Sequence, residues 1–194
     1  MKYTISLIFI FLIFSAFQTR AQDVPAFPRA ETAKSKLEKP DKKDMAQEYY
    51  RNKEYDKAVV LYEELFEENQ TRYYYTYYIF CLIELGEYKK AFKLVRKEQR
   101  RSPETLRYLV DEGFLFSLDG NQQKAEKLFD EALEKLTGNR SQVSDLANAY
   151  NYRGQTDYAI KAYLKGRRLI DDYDFNLELA RVYERLENYD DMVN

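Results

Sequence analysis

The side chains best equipped for chemistry are the carboxylates of Asp171, Asp172 and Asp174, hard oxygen donors of the kind that hold calcium. Their run lacks the glycine and the distant glutamate of an EF-hand loop, so Asp174 reads as a cap on the helix that follows. Glu63, Glu64, Glu67 and Glu68 recur at helical spacing near lysines and read as a solvated helix face. The chain has no histidine, which removes every imidazole base, nucleophile and metal ligand. Serines, lysines and acids are present, but no spacing pairs a nucleophile with an activating base. Six scattered glycines form no loop that cradles a phosphate. Cys81 is the one cysteine, so no internal disulfide forms. Lying among Ile79, Phe80, Leu82 and Ile83, it reads as a small buried hydrophobe. The expectation is a chain that is not an enzyme and carries no metal and no cofactor.

Basic residues cluster as Arg96, Lys97, Arg100 and Arg101, and again as Arg167 and Arg168. With a formal net charge of -2 over 194 residues there is no broad footprint for nucleic acid. Both clusters fit the ends of helices, where cations favour the macrodipole. What stands out instead is aromatic: 19 Tyr and 12 Phe with no Trp. In the run Tyr73, Tyr74, Tyr75, Thr76, Tyr77, Tyr78, helical spacing puts Tyr74, Tyr75 and Tyr78 on one side. Tyr75 and Tyr78 are expected in the core, leaving Tyr73 and Tyr77 for another face.

The elements that carry these residues begin after a distinct leader. Lys2 precedes Ile5 to Phe17, apolar apart from Ser6 and Ser15, and Thr19 and Ala21 offer small residues where a signal peptidase reads. Residues 1–21 therefore read as a secretory signal peptide, too short in its apolar run for a comfortable membrane span. No cysteine near the cut indicates a lipoprotein anchor. Without Lys2 and Arg20, 29 basic residues face 33 acidic ones. Residues 22–41, with Pro25, Pro28 and Pro40, read as a flexible linker.

From residue 42 the chain repeats itself. An alanine follows a turn-like segment and precedes a large apolar residue by four: Ala58 with Tyr62, Ala91 with Val95, Ala125 with Phe129, Ala159 with Tyr163. The alanines are spaced 33, 34 and 34 apart, and Gly86, Gly120 and Gly154 punctuate the turns. A second mark runs twelve residues upstream: Ala46 with Tyr49, Gly113 with Phe116, Ala147 with Tyr150 and Ala180 with Tyr183. The second copy departs, with Ile79 and Leu82 in those places. Each unit reads as two helices joined by a tight turn, brought close by the small residues and filled by aromatic knobs. Tyr55, Tyr88 and Tyr189 share such packing places with the tyrosines already named. Ser102 with Pro103, and Ser141, are expected N-caps, and Asp56, Asp157 and Asp190 first-turn acids of second helices. A fifth second helix is expected from Glu187.

On these marks residues 42–194 resemble the tetratricopeptide repeat family over about four and a half copies, ending within the fifth. The family's tryptophan is replaced by Lys42, Tyr75, Leu109, Val143 and Asn176, and its closing proline survives as Pro103. A leader ending in Ala21 and Gln22 ahead of such repeats is similar to exported proteins of the Bacteroidetes group. The resemblance implies an all-α, right-handed α-solenoid whose first helices line a concave groove for a protein or extended peptide. Carried onto this chain, that groove holds Lys43, Gln47, Tyr50 and Arg51 from the first copy. The second adds Tyr73, Tyr77, Phe80 and Glu84, and the third Arg107, Asp111 and Phe114. The fourth supplies Ser144, Asn148, Asn151 and Tyr152, and the fifth Glu178 and Arg181. Phe80 and Phe114 are expected exposed there, in need of a covering partner. The family's two-carboxylate clamp is met by Lys43 and Arg107 but not by Gln47, Tyr77 or Asp111. The function implied is an exported scaffold of the periplasm or envelope of a Gram-negative bacterium. The alternative is a regulatory or substrate-presenting segment of a longer envelope, secretion-system or signalling protein. No nucleic acid and no membrane span after cleavage are expected, and assembly with envelope proteins is.

Overall fold

A computed structural model describes residues 41–193, with side chains to residue 186. The leader (1–21) and the linker up to residue 40 lie outside the described residues. Among those described there are nine helices and no strand. They pair as antiparallel hairpins: α1 (Lys42–Arg51) with α2 (Tyr55–Glu68), and α3 (Arg72–Glu84) with α4 (Tyr88–Arg101). Then come α5 (Arg107–Leu118) with α6 (Gln122–Glu134), α7 (Arg140–Tyr152) with α8 (Thr156–Leu169), and α9 (Asn176–Val193). Each helix packs on the next, α6 and α7 through the Tyr150 side chain on Phe129, and α5 also packs on α7 and α6 on α8, so the hairpins stack as a solenoid.

The turns repeat atom for atom. Lys53, Gly86, Gly120 and Gly154 each take a left-handed φ, of 60°, 70°, 79° and 70°. The amide after the turn closes a six-residue ring each time: Glu54 onto Tyr49, Glu87 onto Leu82, Asn121 onto Phe116 and Gln155 onto Tyr150, at 2.8–2.9 Å. This pattern satisfies carbonyls that the first helix leaves bare. Its acceptors are the residues of the second periodic mark. Ala58, Ala91, Ala125 and Ala159 are wholly buried, as the period requires.

The residue twelve places before each alanine sets how closely a hairpin closes. α3 and α4, with Ile79, approach over much less of their length than the other three hairpins, whose small residues are Ala46, Gly113 and Ala147. A Cβ on Gly113 would lie 2.6 Å from Phe129 Cε1, which shows how little room remains. Ile79 is itself fully buried, filling the wider gap between α3 and α4. A bulky side chain at this position thus accompanies the loosest of the four pairings.

Several expectations change. Ser102 ends α4 and, with Pro103, forms a turn, while α5 starts at Arg107. Proline's fixed φ serves the turn as well as a helix start. The cap of α7 is Asn139, whose side chain accepts from the Gln142 amide at 3.1 Å, and Ser141 lies inside the first turn. α9 runs unbroken to Val193, so no second helix starts near Glu187 and Asp190 opens none. Glu187 stands where three other copies have glycine, and a left-handed turn there costs about 1 kcal/mol. With no second helix over it, Tyr183 is 47% exposed rather than packed, and Ala180 is exposed too. Tyr75, Tyr78 and Cys81 are core residues, Asp56 and Asp157 sit in first turns, and Arg100, Arg101, Arg167 and Arg168 in last turns. Asp174 accepts from the Asn176 amide at 3.0 Å where α9 begins.

Candidate binding face

The first helices of the hairpins carry the face of interest. Tyr50 of α1 sits at the centre of an aromatic cluster, its ring centroid 4.8 Å from Tyr77, 5.3 Å from Phe80 and 5.9 Å from Tyr55. Tyr77 stacks on the buried Tyr62 of α2 at 5.0 Å and touches Tyr73 at 4.8 Å. Lys43 lies over the Tyr73 ring, and Gln47 donates to the Tyr73 hydroxyl. Six predicted residues, Lys43, Gln47, Tyr50, Tyr73, Tyr77 and Phe80, are therefore brought together. Burial first, then the neighbouring hydroxyls of Tyr152 and Tyr77, push the Tyr50 phenol well above its ordinary range. Tyr77 is raised by burial and by Tyr73 and Tyr152.

Tyr152, at the end of α7, is 51% exposed and Tyr73 is 36% exposed. With Arg72, Thr76 and Tyr77 they line a hollow of about 370 Å³, so α3 and α7 meet across it. Arg72 also ion-pairs with Asp145 of α7. The other predicted residues fall elsewhere. Asn148 and Arg181, with Ser144 and Glu178, line a hollow of about 570 Å³ between α7 and α9. Asn151 lines a third of about 810 Å³, with Gln155 and Val182. Arg107 lies in a fourth of about 530 Å³. The predicted residues are thus spread over several hollows along the array.

Between α5 and the turn after α7 lies a buried ion pair. Arg153 Nε donates to Asp111 Oδ1 at 2.7 Å, and the Tyr75 hydroxyl donates to Asp111 Oδ2 at 2.8 Å. Asp111, expected on the groove surface, is buried, as is Arg153. The Arg153 guanidinium lies over Phe114 at 5.2 Å and Tyr152 at 5.9 Å. Phe114 and Phe80 are accordingly half-buried, covered from within the chain, and not open apolar surface. A guanidinium stacks on aromatic faces readily, which suits it to fill the middle of a curved array. Arg153 was invisible to pattern reading, because its partner is 42 residues away and its own position is a turn.

Nothing in this arrangement pairs a nucleophile with a base. Cys81 is enclosed by apolar neighbours, and burial pushes its thiol up to about 12. Among the described residues no three carboxylate, cysteine or histidine side chains converge as a metal site. Nor is any helix among them long and apolar enough to cross a membrane.

No protein-family model matches the chain, and no curated protein does. Among solved structures it is similar to a thermophilic TPR protein of Thermus thermophilus. The identity is 20%, over 73% of this chain and 95% of that one, with a TM-score of 0.28.

Proposed function

We propose that this chain is an exported scaffold of tetratricopeptide-like repeats that holds a protein or extended peptide on the faces of its first helices. The observation that carries the reading is the pair of exposed rings, Tyr73 and Tyr152, facing one hollow above a braced aromatic cluster. Tyrosines held rigid by packing make strong anchors, because little side-chain entropy is lost on binding. Helical-repeat arrays commonly bind partners along such faces. The leader supports export to the periplasm or cell envelope, where envelope proteins are the partners expected.

Peptide-display selection against the chain, followed by titration of the selected peptides, tests this. Tyr73→Ala with Tyr152→Ala should weaken binding by more than ten-fold while leaving the helical signal intact. Selected peptides that bind the double variant as tightly would overturn the assignment. A second reading, a regulatory or substrate-presenting repeat segment of a longer envelope, secretion-system or signalling protein, is favoured by the bare face of α9. There Ala180 and Tyr183 hold places that the preceding hairpins cover.

A further inference from the structure

The hollow between α3 and α7 has a chemistry of its own. Its whole lining is Arg72, Tyr73, Thr76, Tyr77 and Tyr152. Three of the five are tyrosines, and none is acidic or aliphatic, so its apolar surface is made of ring faces. At about 370 Å³ it suits a short stretch of extended chain better than a helix, which is about 10 Å across.

The sense of the hydrogen bonds here follows from Arg51. A guanidinium only donates, and Arg51 Nη2 donates to Gln47 Oε1 at 3.4 Å, so the Gln47 amide turns its NH₂ the other way. That NH₂ donates to the Tyr73 hydroxyl, whose own proton is thereby left to face outward. The Tyr50 hydroxyl lies beside that of Tyr152, and burial holds its proton in place, which leaves the Tyr152 proton likewise to face outward. Arg72 keeps further N–H groups besides the one that pairs with Asp145. The Thr76 proton is spent on the Arg72 carbonyl, at 2.8 Å. The free polar capacity of the hollow is therefore weighted towards donors.

This balance discriminates among peptides. An ordinary extended segment brings one N–H for every C=O, and a helix spends its carbonyls internally. A proline-rich segment brings carbonyls without N–H groups, and its rings pack on aromatic faces. Its polyproline II form uses none of those carbonyls internally and is set before binding, so little entropy is lost.

We propose that the segment received by this hollow is proline-rich and bound as a polyproline II helix. Its rings pack on Tyr73, Tyr77 and Tyr152, and its carbonyls accept from the Tyr73 and Tyr152 hydroxyls and from Arg72. This rests on the reading of the hollow as the binding site and names the class of segment that fits it.

Isothermal titration of the full chain with an oligoproline of about nine residues, which spans about 28 Å as polyproline II, tests the assignment. A glycine–serine peptide of the same length is the control. The oligoproline should bind with a Kd below about 1 mM, and the control at least about ten-fold more weakly. Tyr73→Phe with Tyr152→Phe keeps the rings but removes the hydroxyl donors, and should weaken oligoproline binding at least about three-fold. Tyr73→Ala with Tyr152→Ala should weaken it further, with the helical signal of both variants checked by circular dichroism. Absence of oligoproline binding, equal binding of the control, or binding indifferent to the phenylalanine pair would overturn the proposal. Display selection tells its failure from that of the site. Selected peptides that lack proline yet depend on Tyr73 and Tyr152 would overturn the proline assignment alone. Peptides indifferent to both tyrosines would remove the site, and the proposal with it.

Discussion

Arg153, in the turn after α7, reaches 42 residues back to hold Asp111 of α5 at 2.7 Å, and Tyr75 of α3 holds the same carboxylate from the other side. Three hairpins thus share one buried charge. Neighbour-to-neighbour stacking alone does not require such a contact, so it adds a buried polar lock to the repeat pattern.

Breaking this pair from one side strands a buried charge. Asp111→Asn or Arg153→Met should each destabilise the fold by about 3–5 kcal/mol in urea unfolding. The double change Asp111→Leu with Arg153→Met should recover much of that loss, since neither charge is then left unpaired. A double variant no more stable than the sum of its singles would show that the residues act independently.

The two kinds of glycine should respond differently to alanine. Gly113→Ala drives a Cβ to 2.6 Å from Phe129 Cε1, and overpacking of this sort costs about 1–3 kcal/mol. Gly86→Ala meets nothing within 4 Å, yet its φ of +70° is strained for alanine, at about 1 kcal/mol. Chemical denaturation should rank Gly113→Ala as the more damaging. Equal losses would show that backbone strain outweighs crowding here.

Alkaline pH should unfold the chain earlier than its acidic composition suggests. Burial holds the Cys81 thiol up at about 12 and raises the Tyr75 and Tyr150 phenols above their ordinary value. Above about pH 9 the unfolded chain releases protons that the folded chain keeps, so folding loses stability as pH rises. The slope approaches about 1.4 kcal/mol per pH unit for each such group. Urea midpoints measured from pH 7 to pH 11 should fall steadily beyond pH 9, and a flat profile would contradict it.

Cys81 should also resist thiol reagents. Its thiolate is suppressed and no solvent reaches it, so labelling at pH 8 should proceed only through unfolding and speed up with added urea. Rapid labelling of the native chain would place the thiol at the surface.

The repeat itself was legible because it is local. Ala58, Ala91, Ala125 and Ala159 announce their burial by type and spacing, and Gly86, Gly120 and Gly154 announce the turns. Tyr75 and Tyr78 followed from helical spacing alone. The candidate face was legible only in part. Lys43, Gln47, Tyr50, Tyr73, Tyr77 and Phe80 lie close together, since two adjacent hairpins supply them. Arg107, Asn148, Asn151 and Arg181 scatter into other hollows, because their placement depends on how curvature accumulates over several hairpins. Phe175 shows another limit. It is fully buried with a φ of 54°, and Gly166 leaves room for its ring, an arrangement that no periodic mark records.

Ile79 has a consequence for how the molecule comes apart. Buried side chains form one cluster running from Ala46 to Leu115 and another from Leu106 to Val182, and the two meet around α5. The hairpin that Ile79 props open belongs to the first cluster, and we expect cooperative coupling to be weakest there. In a nearest-neighbour description the carboxy-terminal hairpins behave as one foldon, and α3 with α4 as the link that opens at lower free energy. Amide exchange should therefore be faster in α4 than in α6, with the aromatic cluster on α3 loosening before the rest of the array.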